Sequence, residues 1–397
     1  MNKTIIQKGG NLLYLMLILV MMIDPNNSIL HMKDVFFILL VAYNCVFFKP
    51  NFKYLPHLTA IASAIFICTV ISEMEQSFID KDFYMATIKG FSPLILLLWS
   101  PYYDVVKLSK GPAILLCLII STLYILVCIF EPIEYIVWKF ASANNDMIKM
   151  AHRDFLGLRI YGMYYSSIVT TFFTMFVVYH TVFNQKTKRI RNTLILLLIT
   201  FCFLISGTRT AILAPFFIMA LAIYTSIAHK SKVKYFLFPI LFLFGTSLIL
   251  LIITLALQNN EPSNAVKYGH LASYLNLFDS NPEYLLWGQG PGAIFYSEGF
   301  KEWVPQTEWT YLELIRNYGV FALLILVVLI SPLFRLYKYR NNLFIFGMAV
   351  TYIFYLFMAG TNPMLISSTG MFIVLSIFSF TDSLNEKDKE FIELQSK

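Results

Sequence analysis

The chain has 397 residues, of which 58% are hydrophobic and only 13% charged, with a mean hydropathy of +0.68. Soluble domains carry about 25% Asp, Glu, Lys and Arg, so a water-soluble globule, a disordered chain, a coiled-coil rod and a disulfide scaffold are excluded. The formal charge of +7 reads as topological anchoring by cytoplasmic Lys and Arg, not as a nucleic-acid footprint.

A hydrocarbon core about 30 Å thick needs roughly 20 apolar residues per helix. Candidate spans fall at 5–23, 35–48, 55–72, 84–100, 112–130, 161–183, 193–206, 211–228, 235–257, 312–334, 343–360 and 364–381. The expected fold class is therefore an all-α polytopic membrane protein of about twelve helices, a single integral membrane domain over 1–397. Lys3 and Lys8 precede the first apolar stretch, but DPNNS follows it where a small-x-small cleavage site would stand, so it reads as a retained helix. With the N-terminus inside, most basic residues fall in cytoplasmic connections, from Lys49 and Lys53 to Arg189 and Arg191, Lys230 to Lys234, Arg335 to Arg340, and Lys387, Lys389 and Lys397. Both termini are expected in the cytoplasm. Lys89, a few residues into the fourth span, reads as a snorkelling or bundle-packed lysine.

Two connections, 131–160 and 258–311, are too long to be mere turns, and both fall on the outer face. The larger one precedes the tenth span. No internal repeat is evident, which argues against an inverted-repeat transporter.

Three stretches could carry chemistry. MAHRDFLGLRIYGMYYSS places His152, Arg153 and Arg159 before the sixth span, on the face where positive charge is disfavoured; they serve either acidic headgroups or an anionic ligand. In CFLISGTRTAILAPFF, Arg209 sits in a polar turn between two apolar helices. Ser206 and Thr208 add hydroxyls to its guanidinium, a suitable arrangement for phosphate oxygens. Its alternative is a helix-end arginine snorkelling to headgroups.

The third stretch runs from Gly288, Gly290 and Gly292 to Tyr318 and Gly319. It lacks the Lys-Ser/Thr and the strand–helix frame of a nucleotide loop. Glu308 and Glu313 precede or open its helix, either capping it electrostatically or offering a general base for a sugar hydroxyl. Gln306 and Tyr311 flank Glu308 as candidate glycan contacts. His31, His57, His180, His229 and His270 are scattered and read as structural. All five Cys lie in apolar runs, with no CxxC or Cys/His spacing, so neither metal nor other cofactor is expected.

In this order the three stretches resemble the O-antigen polymerase and O-antigen ligase superfamily of bacterial membrane glycosyltransferases. The matching pieces are R-x-x-G at Arg159 to Gly162, S-G-T-R-T-A at Ser206 to Ala211, and G-x-G-P-G followed by E-x-x-Y-L-E-L-I-x-x-Y-G from Gly288 to Gly319. The resemblance also covers the hydropathy layout with its late outer loop. It implies a metal-independent enzyme of the bacterial plasma (inner) membrane, acting at the outer face on undecaprenyl-diphosphate-linked oligosaccharide as donor and acceptor. Membrane lipids and a chain-length regulator protein are the further partners, and nucleic acid is not one. By the same resemblance Arg159 and Arg209 would bind the diphosphate, and Glu308 stands where ligases typically carry a His. The Asn-Pro-Asn that often follows R-x-x-G in ligases is replaced by residues around Tyr164 to Ser167. Both departures favour a polymerase over the alternatives, a ligase or a lipid-linked oligosaccharide flippase.

Overall fold

The computed structural model describes residues 3–27, 29–75, 79–144, 147–155, 158–184, 189–227, 262–360 and 364–395. Among the described residues seven helical segments are long and apolar enough to cross a membrane: Thr4–Ile23, Phe52–Met74, Lys81–Tyr102, Val105–Ile129, Ser166–Asn184, Thr310–Tyr337 and Leu343–Gly360. The chain is a membrane protein, and its candidate spans among the described residues are helical. Four more of the expected spans fall on apolar helices of at most 17 residues: α2 (Lys33–Phe47), α8 (Arg189–Ile205) and the stretches Ala211–Ser226 and Ser368–Leu384. The expected span 235–257, and Lys230, Lys232 and Lys234 before it, lie outside the described residues.

In chain order the first helices are α1 (Lys3–Ile23), α2, α3 (Leu55–Glu75), α4 (Lys81–Phe91), α5 (Val105–Ile129) and α6 (Glu131–Ala143). Helix α4 does not continue as an α-helix through its span. Pro93 has no N–H for the next i→i−4 bond, so Ser92 closes α4 through its hydroxyl and amide on Lys89 O, and a 3₁₀ stretch follows over Ser92–Tyr102. Lys89 itself projects outward, 3.9 Å from Asp34. The later helices are α7 (Phe172–Asn184), α8, α9 (Arg209–Ile227), α10 (Pro262–Ser280), α11 (Tyr284–Trp287), α12 (Thr310–Tyr318), α13 (Ala322–Tyr337), α14 (Leu343–Gly360) and α15 (Ser368–Gln395). Met371 to Ser379 of α15 are all buried. A helix that is apolar on every side belongs in the interior, and α15 packs there against the 3₁₀ stretch and α5.

The two long connections, expected as the external loops 131–160 and 258–311, are folded where they are described. The first contains α6, opened by Pro132 with Glu131 and Glu134 in its first turn, and an antiparallel hairpin, β1 (Ile148–Phe155) with β2 (Leu158–Tyr165). Residues 161–165, expected to begin the sixth span, belong to β2. Tyr161, Tyr164 and Tyr165 are strand formers and Gly162 is a poor helix former, a preference that hydropathy alone does not register. The second connection, from Pro262 onward, holds α10, α11 and a short hairpin, β3 (Phe295–Ser297) with β4 (Glu302–Val304). To the expected helical bundle the structure adds two small antiparallel sheets among the described residues.

Polar side chains gather at opposite ends of the bundle. At one end the buried Asp382 of α15 accepts from Ser100 Oγ (2.5 Å), Tyr54 Oη (2.6 Å) and Lys53 Nζ (2.9 Å), with Arg335 Nη1 3.8 Å away. The other end holds both hairpins, the α8–α9 turn and the start of α12.

Candidate functional site

The α8–α9 connection is a tight polar turn. Ser206 Oγ donates to Phe203 O (2.6 Å) and closes α8, Gly207 takes φ +65°, and α9 begins at Arg209. A positive φ is disfavoured for a residue with a Cβ, so the glycine makes the turn this short. Ser206 is buried and Thr208 half-buried. Thr208, with Ala211, forms one wall of a crevice whose other walls come from Tyr164 and Val169, from Tyr355, Met358 and Ala359 of α14, and from Met364.

Two of the three sequence stretches line the crevice, and the third packs on the same helix, α14. Tyr164 lies on β2, five residues after Arg159, and its hydroxyl is 3.0 Å from Met364 Sδ. Thr208 immediately precedes Arg209. From the third stretch, Tyr311 donates to Leu356 O (2.8 Å), and its ring lies against Gly360, where an added Cβ would come within 2.2 Å. All three therefore border the last two turns of α14. His152, Arg153 and Arg159 are placed by backbone on the first hairpin, His152 opposite Tyr161, Arg153 opposite Ile160 and Asp154 opposite Arg159. Their side chains and that of Arg209 lie outside the described ones.

The two carboxylates singled out in the sequence part company. Glu308 has its side chain 35% exposed and pairs with Lys267 Nζ of α10 at 3.5 Å, and Gln306 beside it is half-buried. Glu313 is sealed inside. Its Oε1 accepts from Tyr274 Oη (2.6 Å) and Thr307 N (2.7 Å), while its Oε2 faces Arg316. Arg316, fully buried, also donates to Gln289 Oε1 (2.8 Å), Ala293 O (2.8 Å) and Pro305 O (2.6 Å), and its guanidinium lies 4.6 Å from the Phe295 ring centre. Burial, and then the Glu313 carboxylate, raise the Tyr274 hydroxyl well above its ordinary pKa. Glu313 is thus a fastener, and Glu308 is the carboxylate that a ligand can reach.

The glycine run is structural too. Gly288, Gly290 and Gly292 all have positive φ, and Cβ atoms there would lie 2.5 Å from Asn317 O, 2.1 Å from Ser72 Cβ and 2.9 Å from Asp80 O. The run is a close-packed strap crossing α12, α3 and the start of α4.

Sequence reading missed Arg316, Tyr274 and Gln289, and treated His270 only as one of several scattered histidines. His270 is fully buried; its Nδ1 lies 2.9 Å from Ser297 Oγ, and its Nε2 has no hydrogen-bond partner. Burial lowers its pKa, against the upward pull of Glu308 and Glu313, and Lys267 adds to the lowering. The readable signals were the i,i+3 spacing of Glu313 and Arg316 and a polar histidine within the least apolar connection. Among the described residues no group of three or more His, Cys, Asp or Glu is arranged to hold a metal ion.

No family model, curated protein or solved structure matches this chain.

Proposed function

We propose that this chain is a bacterial inner-membrane glycosyltransferase of the O-antigen polymerase type, joining undecaprenyl-diphosphate-linked oligosaccharide repeat units at the outer face. The single observation that supports this reading most is the convergence of the Arg159 strand, the Ser206–Arg209 turn and the Tyr311 segment on the end of α14. In the proposed reaction an acceptor sugar hydroxyl attacks the anomeric carbon of the donor. The new C–O bond forms as the bond to the bridging phosphate oxygen breaks, and undecaprenyl diphosphate leaves with the electron pair. Arg159 and Arg209 stabilise the charge that develops on that oxygen, and Thr208 adds a hydroxyl to the same cradle, while Ser206 closes the turn that carries it. The hydroxyl proton passes to Glu308. The full expected topology, twelve spans with both termini cytoplasmic, belongs to this proposal.

Reconstitution of the full chain in proteoliposomes with purified lipid-linked repeat units tests it. New glycosidic bonds, read as a ladder of carrier-linked oligomers, support the polymerase. Movement of the lipid across the bilayer without a ladder would make the protein a flippase, and transfer only to a different acceptor would make it a ligase.

A further inference from the structure

The β3–β4 hairpin has two unlike faces. Phe295 and Val304 turn inward to a small core with Tyr274. Tyr296 and Trp303, paired across the ladder, turn outward, 40% and 66% exposed, with ring centres 5.9 Å apart and planes at 70°. The backbone beneath them is anchored, because Arg316 binds Ala293 O before β3 and Pro305 O after β4. The two rings are therefore presented on a fixed base.

Exposed aromatic rings on a membrane protein serve the bilayer interface or an amphipathic ligand. Here the turn between the strands carries the exposed ion pair of Glu298 and Lys301 (2.6 Å), and Glu302 is exposed beside Trp303. Three charges around two rings are unsuited to hydrocarbon, which leaves a seat at the headgroups or a polar ligand, and the brominated-lipid measurement below separates the two. The hairpin also shares its seat with the proposed base. Gly299 of the turn packs against Gly269, Val266 O and His270, and Lys267 of the same helical turns holds Glu308.

We propose that Tyr296 and Trp303 form a glycan subsite that holds a sugar ring of the acceptor or growing chain beside Glu308. The chemical class of this ligand rests on the glycosyltransferase reading. A pyranose has an apolar C–H face and a rim of hydroxyls. The C–H face matches the electron-rich faces of the rings, and the rim is within the chemistry of Glu298, Lys301 and Glu302 as acceptors and donors.

The test uses the full chain in lipid nanodiscs and, as probe, the repeat-unit oligosaccharide released by mild acid from the producing strain's own lipid carrier. Binding is read by saturation-transfer NMR, and polymer formation is assayed in parallel. Trp303→Tyr should bind within a few-fold of wild type, whereas Trp303→Leu and Tyr296→Leu should each weaken binding by about tenfold or more, since a stacking surface is lost while bulk is kept. Quenching of the protein's indole fluorescence by brominated lipids should be the same in wild type and Trp303→Leu. Unchanged binding by both Leu variants overturns the subsite, as does loss in Trp303→Leu of a component that brominated lipid quenches, which marks a membrane anchor. Polymer formation without oligosaccharide binding by the wild type also overturns it and leaves the glycosyltransferase reading intact. Binding without polymer upholds the subsite and removes the polymerase.

Discussion

Arg316 Nη2 lies 2.8 Å from Glu313 Oε2, one turn earlier on the same short helix, and neither side chain reaches solvent. The ion pair is surrounded by partners from Tyr274, Gln289, Ala293, Pro305 and Thr307, so three separate pieces of the 262–309 segment are tied to α12. A buried pair of this kind is no strong net stabiliser. Removing one member is costly because the other is left charged in a dry interior.

That asymmetry gives the first prediction. Glu313→Ala should destabilise the protein by about 3–5 kcal/mol and expose 281–307 to limited proteolysis, while the double change Glu313→Leu with Arg316→Met should cost less than Glu313→Ala alone. Equal or greater loss in the double variant would show that the packing around the pair, and not its charge balance, holds the segment.

The strap of glycines yields a second, contrasting pair. Gly290→Ala places a Cβ where Ser72 already sits and forces a φ of +92° on a residue that resists it, so thermal unfolding in detergent should show a loss larger than about 1 kcal/mol. Gly111 lies within α5 and has open space around its Cβ position. Gly111→Ala should be neutral or stabilise by up to about 1 kcal/mol. Addition of a nucleoside triphosphate should shift neither melting curve.

His270 makes the 262–319 segment sensitive to acid. Its folded-state pKa is lowered by burial, so below the ordinary value of about 6.5 the unfolded chain takes up a proton that the folded chain refuses. This contribution is fully present above that value and is lost as pH falls toward the folded pKa. Glu308 and Glu313 oppose the lowering, and Lys267 reinforces it. The protection of α10 and β3 amides, measured against the intrinsic exchange rate at each pH, should therefore fall between pH 7 and pH 5 in the wild type, and less so in His270→Asn. Identical pH dependence in both would remove His270 as the cause.

Several spans were legible because bilayer thickness imposes a length that composition records directly: α1, α3 and α14 fall close to their expected limits, while α5 begins at Val105, before the expected 112, because Lys107 and Lys110 lower the hydropathy of its first turns. The β1–β2 hairpin was not, since LRIYGMYY runs into an apolar helix without a change in hydropathy. At the site, local signals found the turn at Arg209 and the carboxylate at Glu308. They could not separate Glu308 from Glu313. The roles of those two depend on Gln289, Ala293 and Tyr274, which are distant in sequence and come together only through the strap and hairpin. Trp303 likewise reads as one more aromatic until Phe295 and Val304 are seen to take the inner face.

Sidedness is the next consequence of the positive-charge count. A reporter inserted after Lys301 should behave as external and one inserted after Lys186 as cytoplasmic. A cytoplasmic signal at Lys301 would put Glu308 on the wrong side of the membrane for a carrier-linked substrate presented at the outer face.

The last prediction concerns which transferase this is. If the chain polymerises repeat units, cells lacking it still make, flip and ligate single units, so their glycolipid should be a core capped by one unit. A cell lacking a ligase instead accumulates long polymer on the lipid carrier above an uncapped core, because its polymerase is intact; the two patterns separate on a glycolipid gel. Within the protein, Arg209→Lys keeps the charge but loses the planar fork that grips two phosphate oxygens. Polymer output should fall sharply with expression unchanged, by about the 2.7–4 kcal/mol that one lost donor to a developing oxyanion costs. Glu308→Gln keeps size and hydrogen bonding but removes the basic carboxylate and its pairing with Lys267, and should mimic the null. Because Glu308 is partly exposed and its one ion pair is at the surface, the substitution should leave stability nearly unchanged, which distinguishes it from Glu313→Ala. Full-length chains from Glu308→Gln would transfer the base to another group, and long carrier-linked polymer in the null strain would end the polymerase assignment itself.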